Sequence, residues 1–259
     1  MDTLLYEKRG PVAIITINRP RAMNAYDAVT IKEMGARFEE FDKDPALRVA
    51  ILTGAGEKSF CAGADLKSLH GKTFEGGIEE LWDEDRQYRL GQKVQVRKPV
   101  IAAVNGYCLA GGLELALACD LRIASNLASF GCPEVKRSIL HGYGALRLPH
   151  MIPFAVAMQM LLSGESLSAQ RAYEVGLITQ VVEPADLLPA AIKLAETIAA
   201  NAPLSVKITK DLAWRALHEH PQEFMRYLSA AMALIHGSED AKEGPLAFAE
   251  KRPANYKDR

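Results

Sequence analysis

The stretch KPVIAAVNGYCLAGGLELALACDLRIAS, residues 98–125, contains two strand-like runs with a helix-like run between them. The first run, PVIAAVNG at 99–106, and the last, DLRIASN at 120–126, are short, apolar and bounded by turn residues, as buried strands are. The segment between them follows Gly111 and Gly112 and is apolar apart from one acid. Strand, helix and strand in this order predict a parallel pair with a helical crossover, so the fold class is α/β.

The same alternation extends over the first two thirds of the chain. PVAIITIN (11–18) and RVAILTG (48–54) predict buried strands, and the segment between them predicts a capped helix. The residues that indicate this helix are the N-cap Asp27, the apolar positions Ile31, Met34, Phe38 and Phe41, and the stop Pro45. A helix through PFAVAMQMLLSG and a strand at 176–182 continue the pattern, with no sequence repeat behind it.

From about residue 186 the strand signals stop, and three amphipathic helices are predicted. The first ends before Pro203, the second carries Leu204, Ile208 and Leu212, and the third carries Phe224, Leu228, Ala231 and Ile235. Such helices bury their apolar stripes on each other, on the core or on another subunit. We therefore predict an α/β core at 1–185 and a helical region at 186–259 that takes part in oligomerisation.

Composition narrows the function classes. The 259 residues include 31 basic and 32 acidic side chains, with a net charge of −1, so no bulk field attracts nucleic acid or an anionic membrane. A small molecule is the expected partner.

The amino terminus, MDTLLYEKRG, lacks the basic-then-apolar order of a signal peptide, and no apolar run approaches the roughly 20 residues that span a bilayer, so we expect a cytoplasmic protein. The four cysteines and six histidines have no zinc-site or CxxC spacing, so no metal is expected.

Residues 71–98 form a glycine-containing and strongly charged segment with a few embedded aromatic and apolar side chains, Trp82 among them. A solvated surface helix and a flexible wall of a binding pocket both fit this composition. The sequence leaves the two interpretations open.

Two stretches offer backbone N–H donors at helix starts. They are SFCAGADLKSL (59–69) and LAGGLEL (109–115), each with small residues that let a ligand approach the backbone. Oriented N–H groups of this kind stabilise negative charge on a carbonyl oxygen. A plain tight turn also explains each stretch taken alone.

Two glutamates are candidate acid–base groups. Glu114 lies in a helix that is apolar on nearly every face, so its carboxylate is expected to be partly buried with a raised pKa, although a structural pair with an arginine fits as well. Glu134 follows Pro133, an arrangement that also simply suits the first turn of a helix. On one pocket, two carboxylates would push their pKa values apart, so that one is protonated while the other is charged.

Five stretches, in order over nearly the whole chain, are SFCAGADLKSL, KPVIAAVNGYCLAGGLELALACDLRIAS, FGCPEV, GLITQVV and EGPLAFAEKRPANYKDR. Together they resemble the crotonase family, the enoyl-CoA hydratase/isomerase superfamily. The resemblance implies a crotonase-like spiral of ββα units with a C-terminal helical oligomerisation region, assembled as a homotrimer or as a hexamer of two trimers. It also implies an oxyanion hole formed by the N–H groups of Ala62 and Gly111, with Glu114 and Glu134 as the catalytic acids.

A family member with both glutamates is expected to hydrate a 2-enoyl-CoA thioester reversibly to the 3-hydroxyacyl-CoA. The oxyanion hole polarises the thioester, Glu114 deprotonates the water that attacks C3, and Glu134 protonates C2. Coenzyme A is part of the substrate, and no other cofactor is expected. Residues expected to contact the acyl-CoA are Ala64, Asp65, Leu66, Lys67, Trp82, Pro133, His141, Gly142, Tyr143, Phe248 and Lys251. The tail cations Lys251, Arg252 and Lys257 either bind the CoA phosphates or form a solvated basic tail.

The segment ILHGYGALRLP (139–149) departs from the Pro-Gly-x-Gly-Gly loop of many hydratases. His141 stands where proline is usual, Tyr143 is bulky, and the loop is one residue shorter, so a branched, cyclic or polar acyl group stays open. Alternatives within the family are an isomerase, a thioester hydrolase and a decarboxylase. An alternative of another class is a non-catalytic or RNA-binding member of the same fold. The chain lacks the GxSxG motif of serine hydrolases and the phosphate-binding glycine motifs.

Overall fold

The structure is a computed structural model that describes residues 2–65 and 95–259. The predicted contacts Leu66, Lys67 and Trp82 lie outside the described residues, as does most of the charged segment, and those predictions stay predictions. The strands are β1 (Leu4–Arg9), β2 (Val12–Ile17), β3 (Val49–Gly54), β4 (Ser59–Cys61), β5 (Val100–Val104), β6 (Tyr107–Leu109), β7 (Leu121–Ser125), β8 (Ser129–Gly131), β9 (Ser166–Ser168) and β10 (Gln180–Val182). The α-helices are α1 (Ala28–Lys43), α2 (Gly111–Ala118), α3 (Gly142–Met151), α4 (Phe154–Ser163), α5 (Ala169–Glu174), α6 (Leu187–Ala199), α7 (Pro203–Arg215), α8 (Pro221–His236) and α9 (Asp240–Ala249). Short 3-10 turns cover Pro20–Ala22, Pro133–Arg137 and Pro184–Asp186.

The first sheet has six strands in the order β1-β2-β3-β5-β7-β10. Only the β1–β2 pair is antiparallel, and the other neighbours are parallel. Because side chains alternate along a strand, one face of the sheet carries Ile14, Ile51 and Ile101 toward Ala191 and Ala195 of α6. The opposite face packs into the main core. The predicted α/β class with largely parallel pairing is confirmed.

The second sheet has four short strands in the order β4-β6-β8-β9, parallel except for the β8–β9 pair. Its strands follow those of the first sheet in the pairs β3–β4, β5–β6 and β7–β8. This recurrence is the predicted ββα spiral. Large fully buried side chains of the main core come from both sheets, among them Leu52, Phe60, Ile15 and Phe130.

Local signals placed the long elements correctly. The Asp27 carboxylate caps α1 by accepting a hydrogen bond from the Thr30 N–H at 2.9 Å. Strands β2, β3, β5 and β7 lie inside the predicted ranges. The strand predicted at 176–182 is shorter, since only Gln180–Val182 pairs with β7.

The C-terminal helices differ in what they cover. Helix α6 lies on the first sheet, so the predicted boundary at 185/186 falls between the sheet and a helix that packs on it, and the division into two domains stays a prediction. Helix α7 is attached through Asp120, whose carboxylate accepts hydrogen bonds from Lys210 Nζ at 2.7 Å and Trp214 Nε1 at 2.8 Å. Helix α9 was not predicted. No helix that the structure describes is long and apolar enough to cross a membrane.

Candidate active site

The start of α2 packs against the end of β4 and the segment that follows it. A Cβ at Gly112 would lie 2.0 Å from the Cys61 carbonyl oxygen, and a Cβ at Gly63 would lie 3.1 Å from the Gly111 nitrogen. Only glycine permits this approach. Ala110, the N-cap of α2, has φ 53° and ψ −132°, a conformation that is costly for a residue with a Cβ. Two backbone segments distant in sequence are therefore held side by side.

The structure corrects the predicted role of Ala62. Its N–H donates a hydrogen bond to the Met23 carbonyl oxygen at 3.1 Å and is already used within the chain. Ala64 forms a parallel bridge with Tyr26, in which Tyr26 bonds to the Gly63 oxygen at 2.9 Å and to the Asp65 N–H at 2.8 Å. In such a bridge the N–H of Ala64 itself points to the opposite side.

The N–H groups of Ala64 and Gly111 have no hydrogen-bond acceptor within residues 2–65 and 95–259. They belong to the two segments that Gly63 and Gly112 bring into contact. Ala64, which was predicted to contact the substrate, thus replaces Ala62 as the partner of Gly111 in a pair of available backbone donors.

Both predicted glutamates lie around one imidazole ring. Glu114 Oε1 is 3.4 Å from His141 Nδ1, and Glu134 Oε1 is 3.9 Å from His141 Nε2. The side chains are almost covered, with exposed fractions of 11% for Glu114, 10% for Glu134 and 2% for His141. Helix α2 supplies Glu114, and the turn Pro133–Arg137 supplies Glu134 in its first residues. The structure therefore brings the two carboxylates together around His141, and their catalytic role stays a prediction.

Burial raises the pKa of Glu134 above its ordinary value. The neighbouring His141 opposes this shift, while the charge of Glu114 adds to it. Cys132, beside both acids, has its pKa raised to about 12 by burial and by the two carboxylates, so its thiol stays neutral. Of the two acids, Glu134 is thus the one whose protonated form burial favours.

The segment from His141 to Gly144 contacts the acids through its backbone as well as its ring. The Tyr143 N–H donates to Glu114 Oε1 at 3.2 Å, while the Tyr143 side chain packs half-buried against the core. Burial raises the pKa of the Tyr143 hydroxyl. The Gly144 N–H donates to His141 Nδ1 at 3.1 Å, which makes His141 the N-cap of α3. The sequence shows that His141 and Tyr143 depart from the loop of many hydratases, but it does not predict these contacts.

The other predicted contacts have the following places in the fold, and their contact with the acyl-CoA stays a prediction. Asp65 forms a salt bridge with Arg19 at 3.0 Å. Pro133 opens the turn that carries Glu134, and Gly142 is exposed at the start of α3. Phe248, 87% exposed, and Lys251 form no hydrogen bond or ion pair with the two glutamates in the described part of the chain.

The Arg252 guanidinium is bound by Glu243 and Glu250, at 2.6 Å each, a use that competes with the predicted CoA phosphates. All four cysteines are buried free thiols. Among the described residues, no three His, Cys, Asp or Glu side chains are arranged to hold a metal ion.

Comparison with known proteins gives consistent matches over nearly the whole length. The family model described as enoyl-CoA hydratase/isomerase matches residues 7–259. The (E)-benzylidenesuccinyl-CoA hydratase of Thauera aromatica is 44% identical over 252 residues, covering 97% of each chain. The short-chain-enoyl-CoA hydratase of Clostridium acetobutylicum is 40% identical over 259 residues, covering 97% of this chain and 96% of its own. A crystal structure of enoyl-CoA hydratase from Mycobacterium tuberculosis H37Rv superimposes with a TM-score of 0.89 at 42% identity, covering 99% of both chains.

Proposed function

The chain belongs to the enoyl-CoA hydratase/isomerase family, and from this premise we propose that it hydrates a 2-enoyl-CoA thioester reversibly to the 3-hydroxyacyl-CoA. The observation that carries the proposal is the pair of nearly buried carboxylates, Glu114 and Glu134, on either side of one imidazole. Two acids are what a hydration needs, because one accepts a proton from water while the other gives a proton to carbon. The names of both relatives support the same reaction.

The thioester oxygen binds to the N–H groups of Ala64 and Gly111 in this proposal. Electron density then shifts from the double bond toward that oxygen, which makes C3 electrophilic. Preorganised backbone donors stabilise the developing charge without reorganising, and loss of one such donor typically costs about 100- to 1,000-fold in rate. Support comes from the contact between the two segments and from the hydrogen bond that occupies the Ala62 N–H.

Glu114 deprotonates the water that attacks C3, and Glu134 delivers the proton to C2. The raised pKa of Glu134 supports this division, because burial favours its protonated form. The two carboxyl groups titrate as a coupled pair, so each macroscopic pKa belongs to both. The proposed chemistry uses no metal or redox cofactor, and coenzyme A is part of the substrate.

Several acyl groups belong in a substrate test. One relative is named for (E)-benzylidenesuccinyl-CoA and another for short-chain enoyl-CoA, so the names support more than one acyl class. The segment 139–149 lies beside the acids and carries the departures at His141 and Tyr143. We propose that this segment selects a branched, cyclic or polar acyl group, with the straight short chain as the reference substrate.

We also propose a homotrimer or a hexamer of two trimers. Helix α8 leaves Met225, Met232 and Leu234 half or more exposed in the single chain, which supports coverage by another subunit. In this assembly Phe248 and Lys251 would contact the CoA that is bound to a neighbouring subunit. Light scattering after size-exclusion chromatography measures the assembly, and a monomer at micromolar concentration would contradict this proposal.

The activity is tested with a panel of enoyl-CoA thioesters. The reaction is monitored as the decrease in absorbance of the conjugated double bond. We expect Glu114→Gln and Glu134→Gln each to lower kcat by about 100-fold or more, since general acid–base groups contribute this much. Glu165→Gln is the matched control, because Glu165 is exposed on the loop before β9.

Product mass separates the reaction types, since hydration adds one water and isomerisation adds none. If both site variants hydrate every active substrate as fast as the parent, the two-acid assignment is wrong.

A further inference from the structure

We propose that His141 is a positioning residue that donates a hydrogen bond from Nε2 to Glu134 when the site closes on the acyl-CoA. The inference rests on the proposed function, because it assigns a role beside the two proposed acids. It concerns the position at which this chain departs from the proline of many hydratases.

The tautomer of His141 follows from its backbone partner. A backbone N–H can only donate, so the 3.1 Å contact from Gly144 makes Nδ1 an acceptor. In the neutral ring the remaining proton is then on Nε2. The capping contact therefore orients the ring and favours the tautomer that carries its hydrogen on Nε2.

Glu134 is the carboxylate that lies on the Nε2 side of the ring. Within the described residues, Nε2 is buried without a hydrogen-bond partner, and so is Glu134 Oε2. Buried polar atoms are nearly always paired, so two unpaired atoms on adjacent groups indicate an unfinished contact. The 3.9 Å from Nε2 to Glu134 Oε1 is about 1 Å longer than a hydrogen bond. Catalytic hydrogen bonds are often long in the empty enzyme and shorten in the substrate complex.

Few charged or titratable groups surround the ring among residues 2–65 and 95–259. Glu114 faces it from α2, and its Oε1 is held by the Tyr143 N–H. Glu134 and the more distant Arg137 come from the 3-10 turn, and the Cys132 thiol is neutral. Without the Nε2 hydrogen, no donor on the ring would offset the repulsion between the charged carboxylates of Glu114 and Glu134. Its carboxylate, formed as the proton leaves for C2, would then be less stable.

Two substitutions separate this role from capping. His141→Asn keeps an acceptor for the Gly144 N–H, since asparagine is a good N-cap, but it removes the Nε2 donor. His141→Gln places an N–H donor near the Nε2 position and loses the short capping acceptor. For His141→Asn we expect a Tm close to that of the parent and a kcat lower by about 10- to 100-fold, the usual effect of a hydrogen bond to a charged group. For His141→Gln we expect a lower Tm with kcat partly restored.

The pH dependence provides the readout that a purely structural role would not change. Loss of the donor favours protonated Glu134, so the alkaline limb of kcat moves to higher pH by about one unit in His141→Asn. The shift is smaller in kcat/KM, because that profile reports the free enzyme, where the contact is long. His141→Gln returns the limb toward the parent.

A His141→Asn enzyme with the parental kcat and pH profile would overturn the inference. So would the reverse pattern, in which only His141→Gln is impaired, because it would assign His141 to capping alone. Glu134→Gln is measured in the same assay. If Glu134→Gln is impaired and His141→Asn is not, only this inference fails, whereas full activity in Glu114→Gln and Glu134→Gln would refute the two-acid mechanism itself.

Discussion

Replacing Gly112 by alanine tests whether the contact between α2 and the end of β4 sets the geometry of the two backbone donors. The new Cβ would lie 2.0 Å from the Cys61 oxygen and 2.6 Å from its carbonyl carbon. A carbon–oxygen contact needs about 3.3 Å, so the start of α2 must move by about 1 Å. Both clashing atoms belong to the backbone, so no side-chain rotation relieves the overlap.

The displacement moves Gly111 relative to Ala64. A misplacement of about 1 Å can cost about 100-fold in rate, and this is the loss of kcat/KM that we expect. Overpacking costs about 1–3 kcal/mol of unfolding free energy, which lowers the Tm by roughly 2–12 °C for a chain of this size. The rate is measured as the loss of crotonyl-CoA absorbance at a temperature below the measured Tm. Circular dichroism gives the melting curve.

Gly237→Ala is the matched control for the same chemical change. Its Cβ would meet the Ala233 oxygen at 3.5 Å, an ordinary contact, at the end of α8. We expect the parental kcat/KM. If Gly112→Ala keeps the parental rate and melting temperature, the close approach of the two segments does not set the donor geometry, and the reasoning fails.

Three further substitutions probe strain, helix attachment and buried charge. Ala110→Gly relieves the positive φ at the start of α2 and should raise the unfolding free energy by about 0.5–1 kcal/mol in urea titrations. Asp120→Asn removes the charge that binds Lys210 and weakens the contact with Trp214, so a loss of about 1–3 kcal/mol is expected in the same titration. For Glu134, burial raises the folded-state pKa above the ordinary 4.5, so its contribution to stability is full below that value and is lost as the pH rises through the folded pKa. Glu134→Gln should therefore raise the Tm more at pH 8 than at pH 5, and an equal effect at both would contradict the assignment of a raised pKa.

The sequence predicted the elements that a sufficiently long run of apolar residues marks. Strands β2, β3 and β5 are apolar runs of five or six residues, long enough to be recognised. The three-residue strands of the second sheet, such as β4 and β6, are too short to show a period. Glu114 was identifiable because it is the one acid in an otherwise apolar helix.

The error at Ala62 has a physical cause. Ala62 and Ala64 are the same residue type two positions apart, and which N–H is available depends on pairing with Met23 and Tyr26, about forty residues earlier. The place of His141 depends likewise on the cap of α3, which brings its ring between two acids from other elements. Tertiary contacts of this kind leave no local periodicity.

The bridge between Tyr26 and Ala64 has a consequence for how such a site diverges. The groups assigned to activate the thioester belong to the main chain and are oriented by main-chain pairing. A substitution at position 64 or 111 changes a side chain and leaves the N–H group itself the same. The acids and the segment from His141 to Tyr143 are side-chain determinants carried on other elements. New acyl preferences can therefore evolve there while the activation of the thioester is inherited intact.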